Sequence, residues 1–262
     1  MENLEELAAN AWPAPVVQTV DGWRLRFGWG VTRRANSVLT TARGARLPLP
    51  DKVALAEEFY ARRLRPAMFA VSEVSSPAGV DAFLADRGYN RDTVVAVQIA
   101  DARDVAETDA PPVAEVTIGE SLTDEWVHDW WVFAERRDKS STDDPEVVAR
   151  VILESTGPRT AYVESRLAGR VAAVGRVTVE RGWAGIFAVA TDPDLRRKGF
   201  ARQGLVEMAR WALSAGANAM YVQVEEENRA ALDLYENCGF GTAYRYWYRR
   251  RGDAGESDEA SR

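Results

Sequence analysis

This chain predicts an α/β fold built on a mixed α+β sheet, and three observations carry the expectation. Extended runs follow one another as a meander between Thr160 and Ala190. After Gly199 the apolar period changes from that of a strand to that of a helix. A strand, a short helix and an aromatic strand then close the pattern.

The elements of this C-terminal part read in order as follows. Val113 to Thr117 is a short strand. Thr123 opens a helix whose Val127, Trp130, Trp131 and Ala134 recur at helical spacing, and a second helix covers Pro145 to Glu154. Thr160 to Arg166, Val171 to Glu180 and Trp183 to Ala190 are strands, the last two joined at Arg181-Gly182, a pair suited to a hairpin. The helix after Gly199 places Ala201, Leu205, Met208 and Ala212 on one face, with Gly216 just past its end. Strand Ala219 to Val224, helix Arg229 to Cys238, the turn Gly239-Phe240 and strand Thr242 to Tyr248 follow. The order is β-α-α-β-β-β-α-β-α-β.

The N-terminal part echoes the end of that order. Strands Gly22 to Phe27 and Ala35 to Thr40 precede a helix carrying Leu55, Ala56, Phe59 and Tyr60. Strand Ala67 to Val71, helix Val80 to Arg87, Gly88-Tyr89 and strand Thr93 to Ile99 come next. Gly88-Tyr89 takes the place of Gly239-Phe240, which suggests an internal duplication. Between the halves, Asp101 to Pro112 reads as an unstructured linker, and the Gly-, Ser- and acid-rich tail from about Arg251 reads as disordered.

Composition narrows the function classes. Apolar residues are 46% and charged residues 28% of the chain, the balance of a globular protein with a real core. Met1 to Glu6 is acidic and begins no signal peptide, and no apolar run is long enough to span a membrane, so a cytoplasmic protein without membrane contact is expected. The net charge of −7 argues against a large nucleic-acid footprint. With one cysteine, Cys238, and one histidine, His128, neither a disulfide nor a metal site of common composition is expected.

The chemistry lies in Val189 to Arg202, between a strand and an amphipathic helix. Gly199 permits a tight turn, and the first amides of the helix after it lack internal acceptors. The helix dipole and Arg196, Arg197, Lys198 and Arg202 add positive charge, so the segment is built to hold an anion, most naturally a pyrophosphate. The sequence contains neither a P-loop signature nor a dinucleotide glycine fingerprint.

At Arg196-Arg197-Lys198-Gly199-Phe200-Ala201 the sequence resembles the GNAT superfamily of acetyl-CoA-dependent N-acetyltransferases, whose signature is [QR]-x-x-G-x-[GA]. A second hallmark, an Asn after the fifth strand followed by Leu-Tyr and Gly-Phe, stands at Asn228, Leu234-Tyr235 and Gly239-Phe240. The resemblance covers about Val113 to Tyr248. It implies a GNAT fold there, with the backbone of Arg197 to Arg202, Phe200 and Ala201 included, on the cofactor pyrophosphate. It further implies that Val189, Ala190 and Thr191 pair with the pantetheine arm where the fourth and fifth strands splay. An amide near Val189 would polarise the thioester carbonyl and stabilise the oxyanion. Asn228 would contact the cofactor, and Tyr235 would protonate the departing thiolate. The residues themselves leave two plainer roles open, Asn228 as a helix N-cap and Tyr235 as core packing with Ala231, Leu234 and Cys238.

GNAT enzymes often carry a glutamate on the fourth strand as base, and Trp183 to Ala190 holds no acid. The candidates for the base are therefore Glu180 and the run Glu225-Glu226-Glu227, with Glu225 favoured. His128 is read as packed or surface, and Trp126 and Trp130 as core residues that could also border the acceptor pocket. In the N-terminal half Leu84 stands where Tyr235 does in the repeat, and no R-x-x-G-x-[GA] precedes the Asp51 to Leu64 helix. Residues 1–101 are thus expected to be a truncated, degenerate GNAT-like copy without catalysis, 102–112 a linker, 113–250 the catalytic domain and 251–262 a disordered tail. Asp21-Gly22-Trp23 and Thr32 to Ser37 could contact an acceptor. The expectation is transfer of acetyl from acetyl-CoA to the primary amine of a small molecule or peptide by direct attack, without metal or nucleic acid, in a monomer or homodimer. The competing expectation is a noncatalytic acetyl-CoA-binding sensor or assembly module.

Overall fold

A computed structural model describes residues 2–41, 46–135, 142 and 144–251. The segment read as a disordered tail lies, from residue 252, outside the described residues. The C-terminal elements follow the expected order: β6 (Glu115–Gly119), α5 (Asp124–Phe133), α6 (Pro145–Glu154), β7 (Arg159–Leu167), β8 (Arg170–Glu180), β9 (Trp183–Thr191), α7 (Phe200–Ser214), β10 (Ala219–Glu225), α8 (Arg229–Glu236) and β11 (Gly241–Arg250).

Local chemistry sets the boundaries. Thr123 caps α5 by accepting from Trp126 N, and Asp144 caps α6 by accepting from Val147 N, with Pro145 in the first turn. Arg181 and Gly182 both have positive φ, at 50° and 79°, which is what the tight β8–β9 hairpin requires. β6 starts two residues later than expected, because Val113 N and Ala114 N donate to Gln203 Oε1 on α7.

The first half contributes α1 (Glu2–Ala11), β1 (Val16–Val20), β2 (Trp23–Phe27), β3 (Val38–Leu39), α2 (Leu49–Ala61), β4 (Met68–Ser72), α3 (Val80–Asp86), β5 (Asn90–Asp101) and α4 (Ala102–Ala106). Three expectations need correction. α1 and β1 were not read from the sequence at all. The strand Ala35 to Thr40 is instead a 3-10 turn, Arg34–Asn36, followed by the two residues of β3. Asn36 is the cause: its side chain accepts from Gly28 N and Gly30 N and donates to Val31 O and Thr32 O, all within 2.9 Å, which keeps the chain coiled. The supposed linker begins with α4, which Asp101 caps through Arg103 N and which buries Ala102, Val105 and Ala106 against α7.

All eleven described strands form one sheet, ordered β1-β2-β3-β4-β11-β5-β10-β9-β8-β7-β6. β5 from the first half lies between β10 and β11, and β11 from the second half lies between β4 and β5. Reading outward from the central β11–β5 pair, each side gives an antiparallel strand, then a parallel neighbour (β4–β3, β10–β9), then an antiparallel meander. The two halves therefore share their hydrogen bonds at the centre. Alternate residues of the sheet serve opposite faces: Val95 and Val97 pack with α1, α5 and α6, while Ala96 packs with α7 and α8. A further cluster joins Phe69 and Val71 to α2 and α3.

Candidate functional site

The site begins where β9 and β10 part. Their parallel pairing runs from Trp183↔Ala219 to Ile186↔Val222 and stops. Gln223 to Glu225 pair only on their other side, with Val97 to Val95 of β5, and the last residues of β9 pair with β8. The β10-facing edge of Phe187 to Thr191 is left without a strand partner. A bulge sharpens the divergence: the β8–β9 register slips between Val174 and Arg176, and Ala188 has φ of 52°. Gly175 stands opposite that bulge, where a Cβ would lie 2.9 Å from Met208 Cε on α7.

The gap widens into a cleft of about 1450 Å³. Val189, Ala190, Thr191, Arg196, Arg197, Gly199, Phe200, Ala201 and Arg202 line it, as do Asn228 and Tyr235 on α8. These sequence-expected residues are thus brought together. Lys198 is not among the lining residues; its ammonium donates back to Asp194 O.

The loop before α7 is held from within. Asp192 accepts from Asp194 N and from the Arg170 guanidinium, and Leu195 N donates to Asp192 O. Arg196 donates to Glu135 at 2.7 Å and to Phe133 O, tying the loop to the end of α5, so its charge is already answered. Arg197 and Arg202 remain as cations toward the cleft, and Arg202 Nε is buried without a hydrogen-bond partner. Gly199 caps α7 with φ of 92°, and the first helical bond there is Gln203 N to Gly199 O. The amides of residues 199–202 accordingly have no acceptor among the described residues.

Asn228 performs the N-cap role, its Oδ1 accepting from Ala231 N at 3.1 Å, and it lines the cleft as well. Tyr235 is 5% exposed and packs edge-on to Phe240. Burial, with the neighbouring Cys238, pushes its hydroxyl well above the ordinary tyrosine range, so it stays a proton donor at neutral pH. No hydrogen bond to that hydroxyl is formed among the described residues, and the side chain reaches the cleft.

The possible bases separate clearly. Glu225, at the end of β10, lines the cleft and is bonded by Arg33 Nη1 at 3.0 Å. Glu180 lies outside the cleft lining and accepts from Asn10 Nδ2. Glu226 is paired with Arg245. His128 is exposed, 3.5 Å from Glu146, and also outside the lining. Of the tryptophans, Trp130 borders the cleft, while Trp126 is bonded through its indole to Val163 O in the core.

Of the segment Thr32 to Ser37, singled out in the sequence, Thr32, Arg33, Arg34 and Asn36 line the cleft. Sequence reasoning missed the rest of this wall, to which Trp12, Tyr60, Met68, Tyr246 and Tyr248 contribute. Tyr244, Tyr246 and Tyr248 alternate along β11, a period-two signal visible in the sequence, and all three are buried. Trp12 follows an unread helix and left no comparable trace. Among the described residues no helix is long and apolar enough to cross a membrane, and no group of three or more His, Cys, Asp or Glu is placed to hold a metal ion.

Residues 1–249 match the family model described as "Probable histone acetyltransferase Rv0428c C-terminal". Over 252 residues the chain is 29% identical to a Bacillus subtilis (strain 168) protein named "Uncharacterized N-acetyltransferase YobR", covering 95% of this chain and 98% of that one. A GCN5-related N-acetyltransferase from Kribbella flavida superposes with a TM-score of 0.69 at 13% identity, covering 98% and 97% of the two chains. A "Tandem GNAT protein from the clavulanic acid biosynthesis pathway (without AcCoA)" superposes with a TM-score of 0.66 at 16% identity, covering 96% of this chain and 89% of that one.

Proposed function

The chain belongs to the family of the probable histone acetyltransferase Rv0428c C-terminal region, within the GNAT superfamily, and from that membership we propose that it moves acetyl from acetyl-CoA to a primary amine by direct attack. The observation that carries this reading is the meeting of two features in one cleft, the open edge of β9 and the unpaired amides at the α7 N-terminus.

The residues fit the group they would hold. Unanswered amides of 199–202, the orphaned Arg202 Nε and the Arg197 cation suit a pyrophosphate. The free edge of Val189 to Thr191 suits the amides of a pantetheine arm, with Asn228 beside it. Acetyl-CoA, when bound, supplies an activated acetyl thioester. The amide near Val189 then donates to the acetyl carbonyl oxygen. Tyr235, kept protonated by burial, donates its hydroxyl proton to the departing sulfur. Glu225 accepts the amine proton, directly or through water, while Arg33 fixes its orientation.

The first half is a truncated, degenerate GNAT-like copy in this reading. Support comes from the matched strand order on either side of β11–β5 and from matching turns: Tyr89 N donates to Leu84 O as Phe240 N donates to Tyr235 O, both at 3.0 Å. Leu84 brings no hydroxyl and Pro48 caps α2, so this copy has neither acid nor phosphate loop. Its contribution is the acceptor wall.

Coenzyme A release measured against an amine panel, beside calorimetry with acetyl-CoA, tests the reading. Binding with turnover is expected. Binding without turnover on any amine would replace it with a noncatalytic sensor, and absence of binding would end both.

A further inference from the structure

The side of the cleft beyond Val189 carries an excess of buried positive charge. Among the described residues Arg26, Arg34 and Arg176 bring guanidinium groups into this region, and Glu5 is the buried carboxylate beside them. Glu5 accepts from the Tyr244 hydroxyl at 2.7 Å. Arg26 is satisfied by the Ser37 carbonyl and hydroxyl at 3.1 and 2.9 Å. Arg176 donates to Ala11 O at 2.7 Å and, although its Nε and Nη2 have no hydrogen-bond partner among the described residues, is fully enclosed, outside the cleft lining and beyond the reach of a ligand there.

Arg34 differs from these in lining the cleft. Its guanidinium stands 5.7 Å from the Trp12 ring and 5.4 Å from the Phe187 ring, and its buried Nε has no hydrogen-bond partner. A buried guanidinium without full partnership is costly. Glu5 is a single carboxylate against three guanidiniums, so the region keeps a positive excess that an anion entering through the cleft would answer. Of the other arginines lining the cleft, Arg33 pairs with Glu225, Arg196 with Glu135 and Arg250 with Asp92, Arg65 donates to Trp29 O, and Arg197 and Arg202 belong to the α7 N-terminal end.

The position is informative too. Phe187 lies two residues before Val189, roughly 7 Å along a strand, on the side away from the α7 N-terminus and its phosphate cradle. Arg34 therefore stands past the acetyl end of the cofactor arm, where an acceptor must lie. We propose that Arg34 receives the carboxylate of the acceptor, so that the acetylated amine belongs to an amino-acid-like molecule whose apolar part packs on Trp12 and Phe187. One accessible guanidinium matches one planar, singly charged group, whereas a phosphate ester near −2 would call for further cations. This inference rests on the acetyl-transfer reading for the place of the amine, not for the anion subsite itself.

Calorimetric titration of the full chain, with and without CoA, tests it on matched pairs differing in the carboxylate: leucine with isoamylamine, phenylalanine with phenethylamine, lysine with cadaverine, and phosphoethanolamine as the phosphate arm. In at least one pair the carboxylate member is expected to bind tenfold or more tightly. Arg34→Met should reduce that preference below twofold and leave acetyl-CoA affinity unchanged. Arg34→Gln gives the same reading should the Met variant fail to fold by circular dichroism. Equal binding within every pair, a preference that survives in the variants, or stronger binding of phosphoethanolamine would overturn the proposal. A carboxylate preference in a protein that binds no acetyl-CoA would overturn the proposed function and leave this subsite standing.

Discussion

Arg33 Nη1 lies 3.0 Å from Glu225 Oε1, so the turn before β3 reaches across the cleft to the end of β10. Both side chains are about half exposed, and such a pair adds at most about 1 kcal/mol to stability. Its significance is orientation. Glu225→Gln keeps an oxygen for Arg33 but cannot take a proton, and is expected to lower kcat/KM by about 100-fold without changing the melting temperature. Steady-state rates of a folded variant that match the parent would exclude Glu225 as the base.

Gly199 is the second test. A Cβ there would sit at an ordinary 3.7 Å from the Val113 methyls, so space is available, but φ of 92° is strained for any other residue. Gly199→Ala should therefore cost about 1–2 kcal/mol and weaken acetyl-CoA binding through a shifted loop. Gly199→Glu should abolish binding, since its carboxylate would occupy the anion cradle. Calorimetry on the folded variants decides, and unchanged affinity in both would remove the pyrophosphate assignment.

Tyr235→Phe removes a hydroxyl that has no hydrogen-bond partner among the described residues and keeps the edge-on contact with Phe240. Stability should stay within about 0.5 kcal/mol, acetyl-CoA affinity should hold, and kcat should fall about 100-fold. Because burial raises this hydroxyl, it retains its proton as pH rises through the neutral range, and loss of the acid should not limit the rate below about pH 10. A parental kcat, with chemistry limiting, would return Tyr235 to a packing role.

The shared centre of the sheet gives a fourth outcome. A fragment from Val113 onward lacks β5, leaving no partner between β10 and β11. Expressed alone it should show no cooperative thermal transition by circular dichroism. Co-expressed with residues 1–106, the two pieces should purify as one complex. A stably folded solitary fragment would contradict the sheet order.

Much of this arrangement was legible in the sequence, and the exceptions have physical causes. The C-terminal order could be read because its signals are local: Thr123 and Asp144 caps, the Arg181-Gly182 hairpin, the period of α7. Loop residues from Val189 to Arg202 announced an anion site through glycine and charge, yet charge alone could not tell Arg197 from Arg196, which Glu135 occupies, or from Lys198, which turns back on Asp194. Most of the wall facing β9 was hidden because it is assembled by distant pairing. Nothing near Arg34 in the chain specifies Phe187, and nothing near β5 specifies that it lies beside both β10 and β11.

That placement of β11 also governs when the protein can exist as a working object. Residues 241–250 are the last of the sheet to leave the ribosome, yet they fill the space between two strands made long before, Tyr246 opposite Ser72 and Val95. Until they arrive, β4 and β5 each expose an unpaired edge, and Tyr246 and Tyr248 are missing from the cleft. Completion of the sheet is consequently dominated by contacts far apart in the chain, which makes for slow folding. A nascent chain that already holds Val189 to Arg202 still lacks Tyr246 and Tyr248, so the cleft is complete only once the final strand has closed.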